Sequence, residues 1–131
     1  MNQKEEEKLV MSLFRKKFED FPKGKLVASE SPDFTLKVGR HNTLGIELSR
    51  LVDEQMALPE RIKTSLSKKI EKLELYQKKV FNQIWLILYV DEYSGILPAK
   101  TMEIEMDQTQ KFNRQFLFDL FSMKIVEIRI L

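Results

Sequence analysis

The chain has no cysteine and a single histidine, and these two shortages remove whole classes of chemistry. Without thiols there is neither a disulfide framework nor a thiolate metal site, and His41 alone cannot build a His-rich zinc centre. Ser-His and Cys-His catalysis lose most of their support for the same reason. His41 lies in a segment that reads as a turn, where a turn role explains it better. Only four glycines occur and none cluster, so no Gly-rich phosphate loop, Walker motif or internal repeat is present. No apolar run reaches the length of a membrane span, and the charged stretch Met1 to Lys8 does not read as a signal peptide. The expectation is a cytoplasmic protein with no membrane partner. The net charge of +2 is too small to argue for a polyanion partner by itself, though it leaves room for a local basic patch. No linker or low-complexity stretch divides the 131 residues, so residues 1–131 are read as one domain.

What the chain does contain is a pair of acids on two consecutive strand patterns. Asp33 opens the run Asp33-Phe34-Thr35-Leu36, Gly39 to Asn42 reads as a tight turn, and Thr43 to Val52 returns as a second strand. Strand alternation puts Phe34, Leu36 and Val38 on one face of the first strand and Asp33, Thr35 and Lys37 on the other. In the second, Leu44, Ile46 and Leu48 oppose Gly45, Glu47 and Ser49. Asp33 and Glu47 can therefore meet across the pairing. Two such carboxylates are hard oxygen donors suited to Mg²⁺ or Mn²⁺; the plainer alternative is a solvated sheet face.

A helix is expected from about Pro59 to Val80, with Pro59 at a first-turn position. Its apolar residues Ile62, Leu66, Leu73, Tyr76 and Val80 alternate by four and three, and continuing that alternation through the gap lands on Lys69. Lys69 thus projects into the core-facing stripe, whereas Lys63, Lys68, Lys72 and Lys79 do not. Either it meets an anionic partner such as Asp33 and Glu47, or its stem snorkels past Leu66 and Leu73 to solvent. In a first helix from Gln3 to about Phe21, Glu6 falls in the sector of Val10, Leu13, Phe14 and Phe21, and Glu5, Glu7 and Glu19 do not. First-turn acids are favoured by the helix dipole whatever the function, so a solvated Glu6 is the simpler reading.

After the second helix, Ile84 to Val90 is a short continuous apolar run, read as a central strand buried on both faces and parallel to an earlier one. Gly95 to Pro98 reads as a loop and Thr101 to Met106 is ambiguous. Asp107 caps an expected helix through about Phe121, with Phe112, Phe116, Leu117, Leu120 and Phe121 on its apolar face. Lys124 to Leu131 reads as a final strand that, at a sheet edge, would pair with a second copy.

The Pro32-Asp33 acid, the Gly45-Ile46-Glu47 acid and this element order resemble the PD-(D/E)xK superfamily of restriction-endonuclease-like nucleases. The resemblance implies an α/β (α+β) fold with a core of helix, three-strand meander, helix and strand, followed here by a C-terminal helix and strand. It implies Asp33 and Glu47 as Mg²⁺ ligands, and a lysine two positions beyond the second acid that activates water. Ser49 stands at that position. Some relatives carry the lysine on the next helix, which makes Lys69 the candidate, with Ser49 left at most a hydrogen bond. Others place an acid from the first helix beside the metal, the basis for Glu6 as a supporting ligand. Two functions follow from the resemblance: a metal-dependent nuclease acting on DNA or RNA, or a nuclease-like domain that has lost catalysis and binds nucleic acid or a protein. An interaction protein without a nucleic-acid role stays open. With no second domain to read a target, weak sequence preference or a targeting partner is expected.

Overall fold

The computed structural model describes residues 1–51, 54–77, 81–107 and 110–131. Among these, three helices and seven strands form one mixed sheet with helices on both faces, an α+β arrangement. Helix α1 (Gln3–Lys17) starts at Asn2, whose side chain accepts the backbone N–H of Glu5 at 2.9 Å. Glu5 and Glu6 in its first turn and Arg15, Lys16 and Lys17 in its last match the helix dipole. The helix was expected to reach Phe21, but it stops at Lys17 because Phe18 is extended, and Pro22 further disfavours a helical Phe21. Both phenyl rings turn back onto Trp85, each 6.1 Å from it.

Strands β1 (Lys25–Ala28), β2 (Phe34–Gly39) and β3 (Asn42–Arg50) form an antiparallel meander. Arg40 and His41 make the expected turn between β2 and β3, and Val52, the expected end of the second strand, lies outside the described residues. Helices α2 (Leu58–Ile70) and α3 (Leu73–Gln77) then cross over to β4 (Gln83–Val90), which lies parallel to β3. Trp85, Ile87 and Tyr89 of β4 pack under α1, and Ile84, Leu86, Leu88 and Val90 under α2. That double burial is why this strand reads as an unbroken apolar run.

The helix read from Pro59 to Val80 is two helices: Lys72 N–H bonds the Lys69 carbonyl three residues back, closing a tight turn, and α3 restarts at Leu73. Val80 lies outside the described residues. The helix read from Asp107 to Phe121 is not formed. Its central part is strand β6 (Arg114–Asp119), parallel to β4, while Gln108 and Thr109 lie outside the described residues. Phe116 and Phe118 face α1 and Leu117 faces the other core, all fully buried. A three-residue apolar run satisfies helical and doubly buried strand spacings alike, and the open position beside β4 selects the strand.

Strand β7 (Lys124–Ile130) forms where expected but not at an edge. It runs antiparallel to β6, and β5 (Thr101–Ile104) pairs along its outer side. The sheet order is β1-β2-β3-β4-β6-β7-β5, so β1 and β5 are its edges, and pairing of β7 with a second copy falls away.

Candidate functional site

The two acids meet because of how the chain enters β2. Ser29 N–H bonds the Asp33 carbonyl at 2.8 Å, bending residues 29–33 back toward β3. Pro32, joined to Ser31 by a cis peptide bond, is buried against Gly45 of β3, where a Cβ would stand only 2.9 Å from its ring. The absent side chain at Gly45 lets this turn settle directly on the strand. The register Phe34↔Ile46 then brings Asp33 opposite Glu47. Leu48 N–H donates to Asp33 Oδ2 at 2.8 Å, and Asp33 N–H reaches Glu47 Oε1 at 3.3 Å.

Glu47 is the more deeply set of the two, its side chain only 5% exposed. Its Oε2 accepts from Lys69 Nζ at 3.0 Å and from the hydroxyl of Tyr76. Lys69 thus takes the first of the two courses open to it from sequence: 18% of its side chain is exposed and its end turns inward to the acid. It lies in the last turn of α2, and the break before α3 aims Tyr76 at the same oxygen.

Burial drives the Asp33 carboxyl up to about 9, reinforced by its hydrogen bond to Glu47 and the like charge there. Burial also pushes Glu47 upward, but hydrogen bonds from Asp33, Tyr76 and Lys69 outweigh it and hold that carboxyl below its ordinary value. Both directions describe one condition: two buried carboxyls this close favour a state in which the pair carries a single negative charge. Burial, then the bond to Glu47, raises the Tyr76 phenol well above its usual value, so it acts as a donor.

Glu6 faces the sheet, but its carboxylate is engaged elsewhere. It accepts from Tyr89 OH at 2.7 Å and from Arg50 Nη2 at 2.6 Å, and these bonds lower its pKa. Arg50 continues to Asp91 at 3.0 Å and stacks on the Tyr89 ring. The acid of α1 on the Asp33 side is Glu7, which lines the same cleft as Asp33. The first turn of α1 straddles β3, so residues one step apart on the helix fall to opposite sides of that strand. Ser49 is half-buried and lines a cleft of about 340 Å³ together with Lys69, Glu6, Glu7 and Arg50. Among the described residues no three Asp, Glu or His side chains are grouped to hold a metal ion; the donor set at hand is the Asp33–Glu47 pair.

No protein family, curated protein or solved structure matches the chain.

Tyr76 is the residue that sequence reasoning placed only in the core. Its ring does pack there, at 3% exposure, but a tyrosine in a buried stripe also needs a partner for its hydroxyl, and that signal was available. Tyr76→Phe keeps the ring and removes a hydrogen bond to a charged group, so it is expected to destabilise the fold by about 1.5–3 kcal/mol. Urea denaturation of the two proteins measures this; equal midpoints would mean that Lys69 alone satisfies Glu47.

Proposed function

We propose that this protein is a metal-dependent nuclease built on a restriction-endonuclease-like core, with Asp33 and Glu47 as metal ligands and Lys69 as the cation of the site. The observation that carries the reading is the contact of Lys69 Nζ with Glu47 Oε2 at 3.0 Å, made from the helix that follows the acid-bearing strand. It supplies the charge that Ser49 lacks at the position the resemblance assigns to lysine. The element order through β4, a helix, a three-strand antiparallel meander, a helical crossover and a parallel strand, supports the same reading.

The donors fit a hard divalent ion. Two carboxylates this close need a proton or a cation between them, and Mg²⁺ commonly takes one or two carboxylates and fills its shell with water and phosphate. When bound, such an ion lowers the pKa of a water and draws off charge that develops on the phosphoryl oxygens. Lys69 then needs only to orient the attacking water or assist its deprotonation, and Tyr76 to hold Glu47 in place. Ser49 contributes at most a hydrogen bond.

One observation favours a second reading. Glu47 is already satisfied by Lys69 and Tyr76, and Asp33 accepts from Leu48 N–H, so the network closes on itself as it would in a domain that has lost catalysis and only binds. The two readings separate in a cleavage assay on single-stranded and duplex DNA and RNA with Mg²⁺ or Mn²⁺. The nuclease reading expects cleavage that is lost in excess chelator and lost in Asp33→Ala, with most nucleic-acid binding retained in that variant. Cleavage that persists in chelator counts against the mechanism. No cleavage of any of the four substrates supports the binding domain.

A further inference from the structure

Beside the acid pair, α1 and the edge strand β1 stand apart, and two clefts of about 320 and 500 Å³ run between them, sharing Lys8, Ala28 and Phe34. The inner cleft is lined by Asp33 and Glu7; the outer one ends at Arg15. Together they form one groove that leads to the candidate site.

The α1 wall of this groove carries three cations and one acid, Glu7, which lies at the inner end beside Asp33. Lys4, Lys8 and Arg15 follow at intervals of four and seven residues, which places them on one side of the helix. Arg15 donates to the Gly24 carbonyl at 2.8 Å and its guanidinium lies 5.7 Å from the Phe21 ring centre; both are neutral groups that position the cation without cancelling its charge. Lys4 pairs with Glu30 at 3.8 Å, but both side chains are more than three-quarters exposed, and such a pair is weak and exchangeable. The opposite wall is apolar: Leu26 and Val27 of β1, with Val27 41% exposed.

We infer that this groove carries the substrate strand, a single-stranded polynucleotide whose phosphates lie along Lys4, Lys8 and Arg15, whose bases rest on the apolar side of β1, and whose backbone runs in to Asp33. This inference rests on the nuclease reading above and names its substrate class. A basic wall facing an apolar one suits a chain with charged backbone and flat bases. From Lys4 to Arg15 the helix rises about 16 Å, enough to follow more than one phosphate of a single strand.

The test is fluorescence anisotropy with a labelled oligo(dT) dodecamer and with a duplex of equal length, in chelator so that nothing is cut. The dodecamer should bind more tightly than the duplex. Lys8→Glu combined with Arg15→Glu should weaken it by on the order of tenfold or more and reduce the salt slope by about 1.4, at ~0.7 per lost phosphate contact. Lys68→Glu, the same change on an exposed position of α2, should alter binding little. Lys4→Ala with Lys8→Ala, checked for an unchanged Tm, should weaken binding in the same direction and so separates contact loss from misfolding. Tighter binding of the duplex, an equal loss in Lys68→Glu, unchanged affinity in the groove variants, or a peptide strand binding along β1 where the dodecamer does not would each overturn the inference. Groove-dependent binding without any Mg²⁺-dependent cleavage upholds the groove and sinks the nuclease reading alone. Asp33-dependent cleavage with binding indifferent to Lys8 and Arg15 does the reverse.

Discussion

Lys69→Met is expected to keep the fold and to cut Mg²⁺-dependent cleavage by about two to four orders of magnitude, the usual scale for losing a group that handles a proton in the transition state. Methionine preserves the length and apolar stem of the lysine, and what is lost is the contact to Glu47 Oε2 at 3.0 Å. Lys68→Met is the matched control, because Lys68 is exposed one residue away on the same helix. Turnover numbers on one oligonucleotide substrate decide the matter. Equal rates in the two variants would leave the site without its proposed cation and make loss of catalysis the better account of Ser49.

Stability should fall as pH rises from about 5 to 9, and Asp33→Asn should remove most of that fall. The Asp33 carboxyl is raised to about 9 in the folded protein from an ordinary 3.8, chiefly by burial and then by Glu47. Above pH 4 the unfolded chain has given up this proton while the native state keeps it. The stabilising contribution is therefore whole below the unfolded value and is lost as pH climbs through the folded one. Glu47, held below its ordinary value, works at the other end, its contribution disappearing as pH falls through its folded pKa. Asparagine at position 33 can still accept from Leu48 N–H and carries no charge to repel Glu47. A Tm decrease on the order of 5 °C across this range is a reasonable scale for a partly exposed group in a domain this small. Identical pH profiles for wild type and Asp33→Asn would mean that the two carboxyls do not share a proton.

Local pattern carried much of the fold. The alternation around the turn at Arg40 and His41 identified β2 and β3, because one face of each strand is core and the period of two is then enforced. The apolar run of β4 was legible for the opposite reason, since burial on both faces erases alternation. The same erasure misled at β6, where Phe116, Leu117 and Phe118 fit a helix as well as a buried strand. Nothing within six residues records that a position beside β4 needs filling.

The candidate site divides along the same line. Sequence by itself determined which faces the three residues occupy: Asp33 and Glu47 share one face of a hairpin and Lys69 fills a gap in a helical stripe, because each depends on spacing within one element or one hairpin, while the packing of α2 on the sheet decided that Lys69 meets Glu47 and does not snorkel. Tertiary structure alone decided the rest. The turn between Ile70 and Leu73, with no Gly or Pro to announce it, brought Tyr76 onto Glu47. The seat of α1 across β3 sent Glu6 to Arg50 and Tyr89 and gave Asp33 its neighbour Glu7. The groove toward Asp33 exists only because β1 lies beside Lys4, Lys8 and Arg15, which in the sequence are ordinary surface charges on a helix. Periodicity fixes which face a residue occupies, but what that face meets depends on packing between elements far apart in the chain, and no local pattern encodes it.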